Sequence, residues 1–253
     1  MRSRLMAVLL FPLLMMQGRR VRRDTPKLPE AAGPRSGIAG SGPPLSLWII
    51  GDSAGAGVGV ASQRDALSGQ LSALLATQYQ VDWQCHAHTG YCASDVAHSL
   101  SKLPVSHVDV MVCSVGVNDV VAFRSVKQWL RDVSTIYELA GKRFGVRQLI
   151  FSLVPPMQDF PALPSPLNRL LGDHARQLNA ALTTFAARHD KVAVAALPGN
   201  DTASMMASDG FHPGVKGYRL WAEEIVTVLQ STQPERSESS YAPVATNVFR
   251  QPP

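Results

Sequence analysis

The sequence predicts a single-domain α/β fold, a three-layer α/β/α sandwich built on a five-stranded parallel sheet. Three observations carry that prediction. Between Leu45 and Gln230, short apolar runs alternate with amphipathic helical stretches. The runs are apolar at successive positions rather than at every second one, which suits strands covered on both faces. Four of the five runs stop at Gly or Pro, and in doubly wound sheets the functional groups gather just past such strand ends. With 253 residues the chain is long enough for one sizeable core, and no repeat of solenoid period interrupts it.

The elements follow in order. Leu47-Trp48-Ile49-Ile50 reads as a buried strand ended by Gly51. Val81 to His86 is a weaker strand, and Val108 to Val115 a strong one ended by Gly116. Gln148 to Val154 is stopped by Pro155-Pro156, and Val192 to Leu197 by Pro198-Gly199. Ser125 followed three residues later by Gln128 is a capping box, which opens a helix. Its stripe is Val126, Trp129, Leu130, Val133, Tyr137, Ala140 and Phe144, and Gly145 ends it. Ser165-Pro166 opens another, with Leu167, Leu170, Leu171, Leu178, Leu182 and Phe185 as its stripe. Residues 63–77 and 215–230 complete the helices.

Net charge is +5, and its location decides what it means. Residues 1–36 carry +6, leaving −1 on the other 217. A neutral globular part leaves only the basic N-terminal stretch for phosphate contacts, so a nucleic-acid partner is not expected. Leu5 to Met16 is an apolar run broken by Pro12. At helical rise it spans roughly 18 Å, short of the ~30 Å hydrocarbon core of a bilayer.

Three readings of this run stand. A signal peptide explains the basic start, but Gln17-Gly18-Arg19-Arg20 follows instead of a small-residue cleavage site. A short anchor or an interfacial helix explains arginines on both sides, so residues 1–23 are a basic, apolar leader suited to a membrane surface. The third reading is a poorly ordered leader. The Lys/Arg-rich side tends to stay cytoplasmic, which favours a cytoplasmic location over export. Residues 24–45, with five prolines and four glycines, read as a linker, residues 46–230 as the domain, and residues 231–253 as a disordered tail.

The chemistry sits at the strand ends. Ser53, in Gly51-Asp52-Ser53, lies on a Gly-rich strand-to-helix turn that can expose its hydroxyl beside backbone N–H groups. The same glycines fit neither a dinucleotide fingerprint, because Val60 stands where the third glycine belongs, nor a P-loop. Taken alone, Gly51-Asp52-Ser53 could be an ordinary turn. Gly90 ends the second strand's exit and could be a plain turn former. Asn118, in Gly116-Val117-Asn118-Asp119, could donate its amide to an oxyanion or cap a helix. Asp209 and His212, three apart before a helix, can share a hydrogen bond that leaves the other imidazole nitrogen free to take a serine proton. A lone loop histidine is more often a solvated side chain. The set of four is far more specific than any member.

In this order the blocks Gly51-Asp52-Ser53, Gly90, Gly116-x-Asn118-Asp119 and Asp209-x-x-His212 resemble those of the SGNH hydrolases, the GDSL esterases and lipases. The resemblance covers roughly residues 46–230. Ala54 stands where many members carry Leu, which bears on specificity rather than chemistry. The resemblance implies a flavodoxin-like sheet and ester hydrolysis through an acyl-serine; no cofactor is expected. Carried over block by block, it makes Ser53 the nucleophile, His212 the base and Asp209 its orienting partner. Ser53, Gly90 and Asn118 would form the oxyanion hole. Asp52 and Asp119 read as structural supports. A neutral imidazole is needed, so activity should peak at mildly alkaline pH.

The loop Pro155 to Pro164 follows the fourth strand at the same sheet end. There Met157, Phe160 and Leu163 either line an acyl pocket or pack beneath the loop. Cys85, His86, His88 and Cys92 cluster in sequence but fit no zinc spacing, and residues 85 and 86 of a strand point to opposite faces. Three cysteines give no dense disulfide framework. The expected substrate is a small-molecule or lipid ester. Alternatives on the same fold are an acyl-thioester, an acetylated carbohydrate, or a non-catalytic binding module; the intact Ser53, Asp209 and His212 argue against the last.

Overall fold

A computed structural model describes residues 2–197 and 202–232 of the chain. After an N-terminal helix α1 (Arg2–Asp24) come strands β1 (Ser36–Ala39) and β2 (Pro44–Gly51), helix α2 (Leu67–Leu75), strand β3 (Gln80–Ala87) and helix α3 (Ala93–Lys102). Strand β4 (Val110–Ser114), helices α4 (Val117–Val121) and α5 (Val126–Phe144), strand β5 (Gln148–Ser152) and helix α6 (Leu167–Ala186) follow. Strand β6 (Val192–Ala195) and helices α7 (Thr202–Met205) and α8 (Val215–Thr232) close the described chain.

The sheet order is β1-β3-β2-β4-β5-β6. The five strands β2 to β6 run parallel, which is the predicted three-layer α/β/α sandwich. The period of two along β2 divides the core. Leu47 and Ile49 face α2 and α8, while Trp48 and Ile50 face α3, α5 and α6. Leu47, Ile49 and Ile50 are completely buried, each contributing about 1.5–3 kcal/mol of transfer free energy. Such two-sided burial is why the strand reads as an unbroken apolar run.

Two expectations need correction. The sheet has six strands among the described residues, not five, because β1 pairs antiparallel with β3. That strand lies inside the stretch read as a linker. Its residues are exposed or half-buried, with Ile38 outermost, so no apolar alternation marks it. Gly37 instead lies flat on the Trp83 indole, where a Cβ would come 3.1 Å from its nitrogen. A short edge strand of this kind shields the border of the sheet.

Helices α3, α4 and α7 also escaped the periodicity argument. The buried residues of α3 are Ala93, Val96, Ala97 and Leu100, a helical stripe weakened by two alanines. The expected caps of α5 are in place: the Ser125 hydroxyl accepts from the Gln128 N–H, and Gly145 adopts the left-handed conformation at φ 60°. The basic leader is helical and leans on α6. Leu14 and Val21 pack against the core. The Gln17 side chain donates to the Ser165 carbonyl at 2.8 Å and accepts from the Leu167 N–H at 3.3 Å. Pro198-Gly199 and residues 233–253 of the expected tail lie outside the described residues.

Candidate active site

Strand β2 ends in a turn only glycine permits. Gly51 has φ 143°, and a Cβ there would lie 2.0 Å from the Ser114 carbonyl oxygen of neighbouring β4. The Asp52 N–H donates to that same carbonyl at 2.9 Å, so the chain turns directly off the sheet at Ser53. The Val58 N–H then closes back on the Ser53 carbonyl at 3.0 Å. From α8, the buried Tyr218 hydroxyl donates to the Val58 carbonyl at 2.7 Å and lies 3.0 Å from the Ala54 carbonyl. Nothing in the sequence singled Tyr218 out. It occupies an apolar stripe position of α8, and its role depends on a contact across more than 150 residues of chain.

The loop before α8 faces this turn. Gly59 of the serine turn sits so close that a Cβ would meet the Pro213 carbonyl at 2.2 Å. The His212 imidazole Nε2 lies 2.9 Å from the Ser53 hydroxyl, and its Nδ1 lies 2.6 Å from Asp209 Oδ2. Asp209 Oδ1 accepts the backbone N–H groups of Phe211 and His212, both at 3.0 Å, so the carboxylate is held by its own loop. Burial alone would raise the Asp209 carboxyl. The His212 ring and those two N–H groups outweigh it and hold the carboxyl below its ordinary value. An ionised Asp209 accepts the Nδ1–H, so Nε2 is left as the acceptor toward Ser53. That arrangement can withdraw a proton from the serine hydroxyl.

Asn118 and Gly90 form a second group. Asn118, on α4, donates from its side-chain amide to the Tyr91 carbonyl at 2.9 Å, which ties α4 to the turn holding Gly90. An amide nitrogen carries two hydrogens, so a second donor remains on Asn118. Gly90 has φ 86°, and a Cβ there would meet nothing within 4 Å; conformation, not crowding, demands glycine. Asp119 is fully buried and accepts the Ala93 N–H at 3.1 Å, fixing the start of α3 just after this turn. Burial raises its carboxyl to about 6. Asp52 is equally enclosed. It accepts from the Ser114 hydroxyl at 3.0 Å and the Ala54 N–H at 3.1 Å, and burial raises it to about 6.

An apolar cavity opens beside Ser53 and His212. Val115, Val117, Val154, Phe160, Met206 and Phe211 are among its walls. Phe160 meets Phe211 edge to face, with centroids 5.3 Å apart. Of the three residues weighed for a pocket, Phe160 alone reaches it. Met157 and Leu163 belong to the packed core instead. The reason is the 3₁₀ turn Met157–Asp159, which rolls Met157 inward until it is fully buried. Cys85, Cys92 and Cys113 are free thiols, and among the described residues no group of three His, Cys, Asp or Glu side chains could hold a metal.

Known proteins give the same frame. Residues 49–220 match the GDSL-like lipase/acylhydrolase family. No curated protein matches the chain. Among solved structures, a member of the lipolytic protein G-D-S-L family from Veillonella parvula is 17% identical with TM-score 0.58, covering 74% of this chain and 98% of its own. A family 3 carbohydrate esterase from Clostridium thermocellum is 16% identical with TM-score 0.57, covering 74% of this chain and 96% of its own. A carbohydrate acetylesterase from Sinorhizobium meliloti is 15% identical with TM-score 0.54, covering 74% of this chain and 99% of its own. At such identities these likenesses speak to the fold, whereas the family match spans more than half the sequence: the chain belongs to the GDSL-like lipase/acylhydrolase family.

Proposed function

We propose that the protein is a serine hydrolase that cleaves carboxylic esters through an acyl-serine. The observation that carries this reading is the continuous chain from Ser53 through His212 to Asp209, at 2.9 and 2.6 Å. The Ser53 oxygen attacks the ester carbonyl while its proton passes to His212 Nε2. Asp209 stabilises the imidazolium through the Nδ1–H bond. The N–H groups of Ser53 and Gly90 and the free amide hydrogen of Asn118 receive the oxyanion. His212 then protonates the departing alkoxide, and water, activated by the same ring, releases the acid.

The apolar walls around Val115, Val154, Phe160 and Phe211 suit an uncharged acyl group. The test compares wild type with Ser53→Ala on p-nitrophenyl esters of rising chain length, with a p-nitrophenyl acyl-thioester analogue and an acetylated sugar alongside. Wild type should exceed the variant by several orders of magnitude on at least one ester. Equal rates on all of them sink the proposal, and the preferred member of the panel decides between ester, thioester and carbohydrate acetate.

We infer as well that α1 rests on an anionic membrane surface, with the domain on the cytoplasmic side. While Leu14, Gln17 and Val21 turn inward, Phe11, Met15 and Met16 are exposed, followed by Arg19, Arg20, Arg22 and Arg23. Asp24 pairs with Arg20 and Arg23, so the arginines keep a net positive charge. Among the described residues no helix is long and apolar enough to cross a membrane, which suits lying on one. Wild type should sediment with phosphatidylglycerol vesicles, less so at high salt, while a Phe11→Ser/Met15→Ser/Met16→Ser variant should not. Equal sedimentation of both would defeat the inference.

A further inference from the structure

The turn that carries Gly90 has little packing to hold it. His88, Thr89 and Gly90 are all exposed, and the space beside the Gly90 Cα is open. An exposed turn of small residues would ordinarily sample several conformations. A fixed donor is what an oxyanion site needs, because a preorganised N–H costs no reorganisation during reaction. The His88 N–H donates to the Gly51 carbonyl at 3.0 Å and Asn118 holds the Tyr91 carbonyl at 2.9 Å, so both ends of the turn are anchored and it is Thr89 and Gly90 between them that need a further contact.

That contact comes from the stretch that reads as a linker. Glu30 Oε1 accepts both the Thr89 N–H and the Thr89 hydroxyl, each at 2.8 Å. Glu30 Oε2 accepts from Arg35 at 2.7 Å. The rest of the Arg35 guanidinium closes over the end of β3, donating to the Cys85 carbonyl at 3.3 Å and to the Ala87 carbonyl. Both side chains are about one-third exposed, and the bonds from Thr89 and Arg35 outweigh burial and keep the Glu30 carboxyl below its ordinary value.

The same stretch is seated on the serine turn. Ala32 exchanges backbone bonds with Ala61 and Gln63, at 3.1 and 2.8 Å. The buried Gln63 amide lies within bonding distance of the Ala31 and Ala56 carbonyls, at 3.2 and 3.0 Å. Ala31 also packs so closely on Gly57 that a Cβ there would lie 2.7 Å away. One short segment thus touches the turn of Ser53 at one end and the turn of Gly90 at the other.

We propose that residues 30–35 form a strap that sets the Gly90 N–H against Ser53, with Glu30 as its positioning residue. The proposal rests on the serine-hydrolase reading of the site. Glu30 touches neither Ser53 nor His212; it acts through Thr89, the residue next to the oxyanion donor. Charge is not what Thr89 requires. A glutamine carbonyl in the same place accepts the same two bonds while its amide nitrogen gives up only the Arg35 bond, so Glu30→Gln should keep most of the hold on Thr89 while Glu30→Ala releases it.

The experiment measures p-nitrophenyl ester hydrolysis per active site, with sites counted by titration with a p-nitrophenyl phosphonate. For Glu30→Ala, kcat should fall at least tenfold with KM nearly unchanged, below the roughly 10²–10³-fold loss of a whole oxyanion donor. Glu30→Gln should recover most of it. A Glu30→Ala protein with a lower melting temperature but full kcat per titrated site overturns the strap and leaves the hydrolase reading standing. Wild type inert on every ester overturns the hydrolase reading instead. Amide hydrogen exchange at Thr89 and Gly90 then reads the strap by itself, and unchanged protection in Glu30→Ala refutes it.

Discussion

Ser53 is flanked by two groups of partners, built by opposite means. On one side Asp209, Phe211 and His212 lie within four residues of chain, and Asp209 is held by N–H groups of its own loop. On the other side Gly90 sits on the turn after β3 and Asn118 on α4 after β4. They are joined by a bond from Asn118 to Tyr91, and Glu30, 59 residues before Thr89, bonds the residue next to Gly90. The first side is a preassembled local unit that needs only docking against the serine turn. The second exists only when the sheet has registered β2, β3 and β4 side by side. A failure to register β3 beside β2 and β4 should therefore displace Gly90 from Asn118 first and leave the His212–Asp209 pair intact.

The largest expected effect lies on the local side. Asp209→Asn keeps the size of the side chain and can keep its two backbone bonds. Its amide, however, can present a donor to Nδ1 and so favour the wrong imidazole tautomer. Loss of kcat should approach 10⁴-fold with little change in KM, as expected when the orienting carboxylate of such a triad is neutralised. A loss under tenfold, measured on the preferred p-nitrophenyl ester, would mean that Asp209 does not set the ring.

Asn118→Ala should cost less, about 10²–10³-fold in kcat, the usual worth of one oxyanion donor. It also cuts the tie to Tyr91. Combined with Glu30→Ala, it should fall short of the product of the two single effects, because both act on one turn. Combined with Asp209→Asn, a unit that works on proton transfer rather than charge, the shortfall should differ. Equal behaviour of the two double variants would erase the distinction between the two sides.

The same contrast explains what the sequence made legible. Asp209 and His212 could be paired by reading three residues of spacing, and Ser53 by the glycines around it. The parallel strands announced themselves because burial on both faces writes an unbroken apolar run, as at Leu47 to Ile50. Strand β1 could not, since it presents exposed Ile38 to solvent and a glycine to Trp83. Tyr218 and Glu30 were invisible for a deeper reason. Tyr218 meets backbone carbonyls and Glu30 the Thr89 N–H across long stretches of chain, and backbone groups have no residue type to recognise. Met157 and Leu163 failed as pocket residues because apolar character does not tell which way a turn rolls a side chain.

The smallest predicted effect concerns Asp52, at the root of the serine turn. It bonds the Ser114 hydroxyl of β4 and the Ala54 N–H of the serine turn, and burial raises it to about 6. A carboxyl raised on folding contributes stability that is present below its unfolded value near 3.9 and lost as pH climbs through about 6. Asp52→Asn removes that titration while its side-chain oxygen can still accept both bonds. The free-energy difference between variant and wild type should therefore shift in the variant's favour between pH 4 and pH 8, by on the order of 3 kcal/mol at most. Asp119, raised to the same region by burial, is common to both proteins and cancels. Urea unfolding at the two pH values measures the shift. A constant difference would show that Asp52 ionises as freely in the folded protein as in the unfolded chain, and that the root of the serine turn is wetter than its bonds to Ser114 and Ala54 imply.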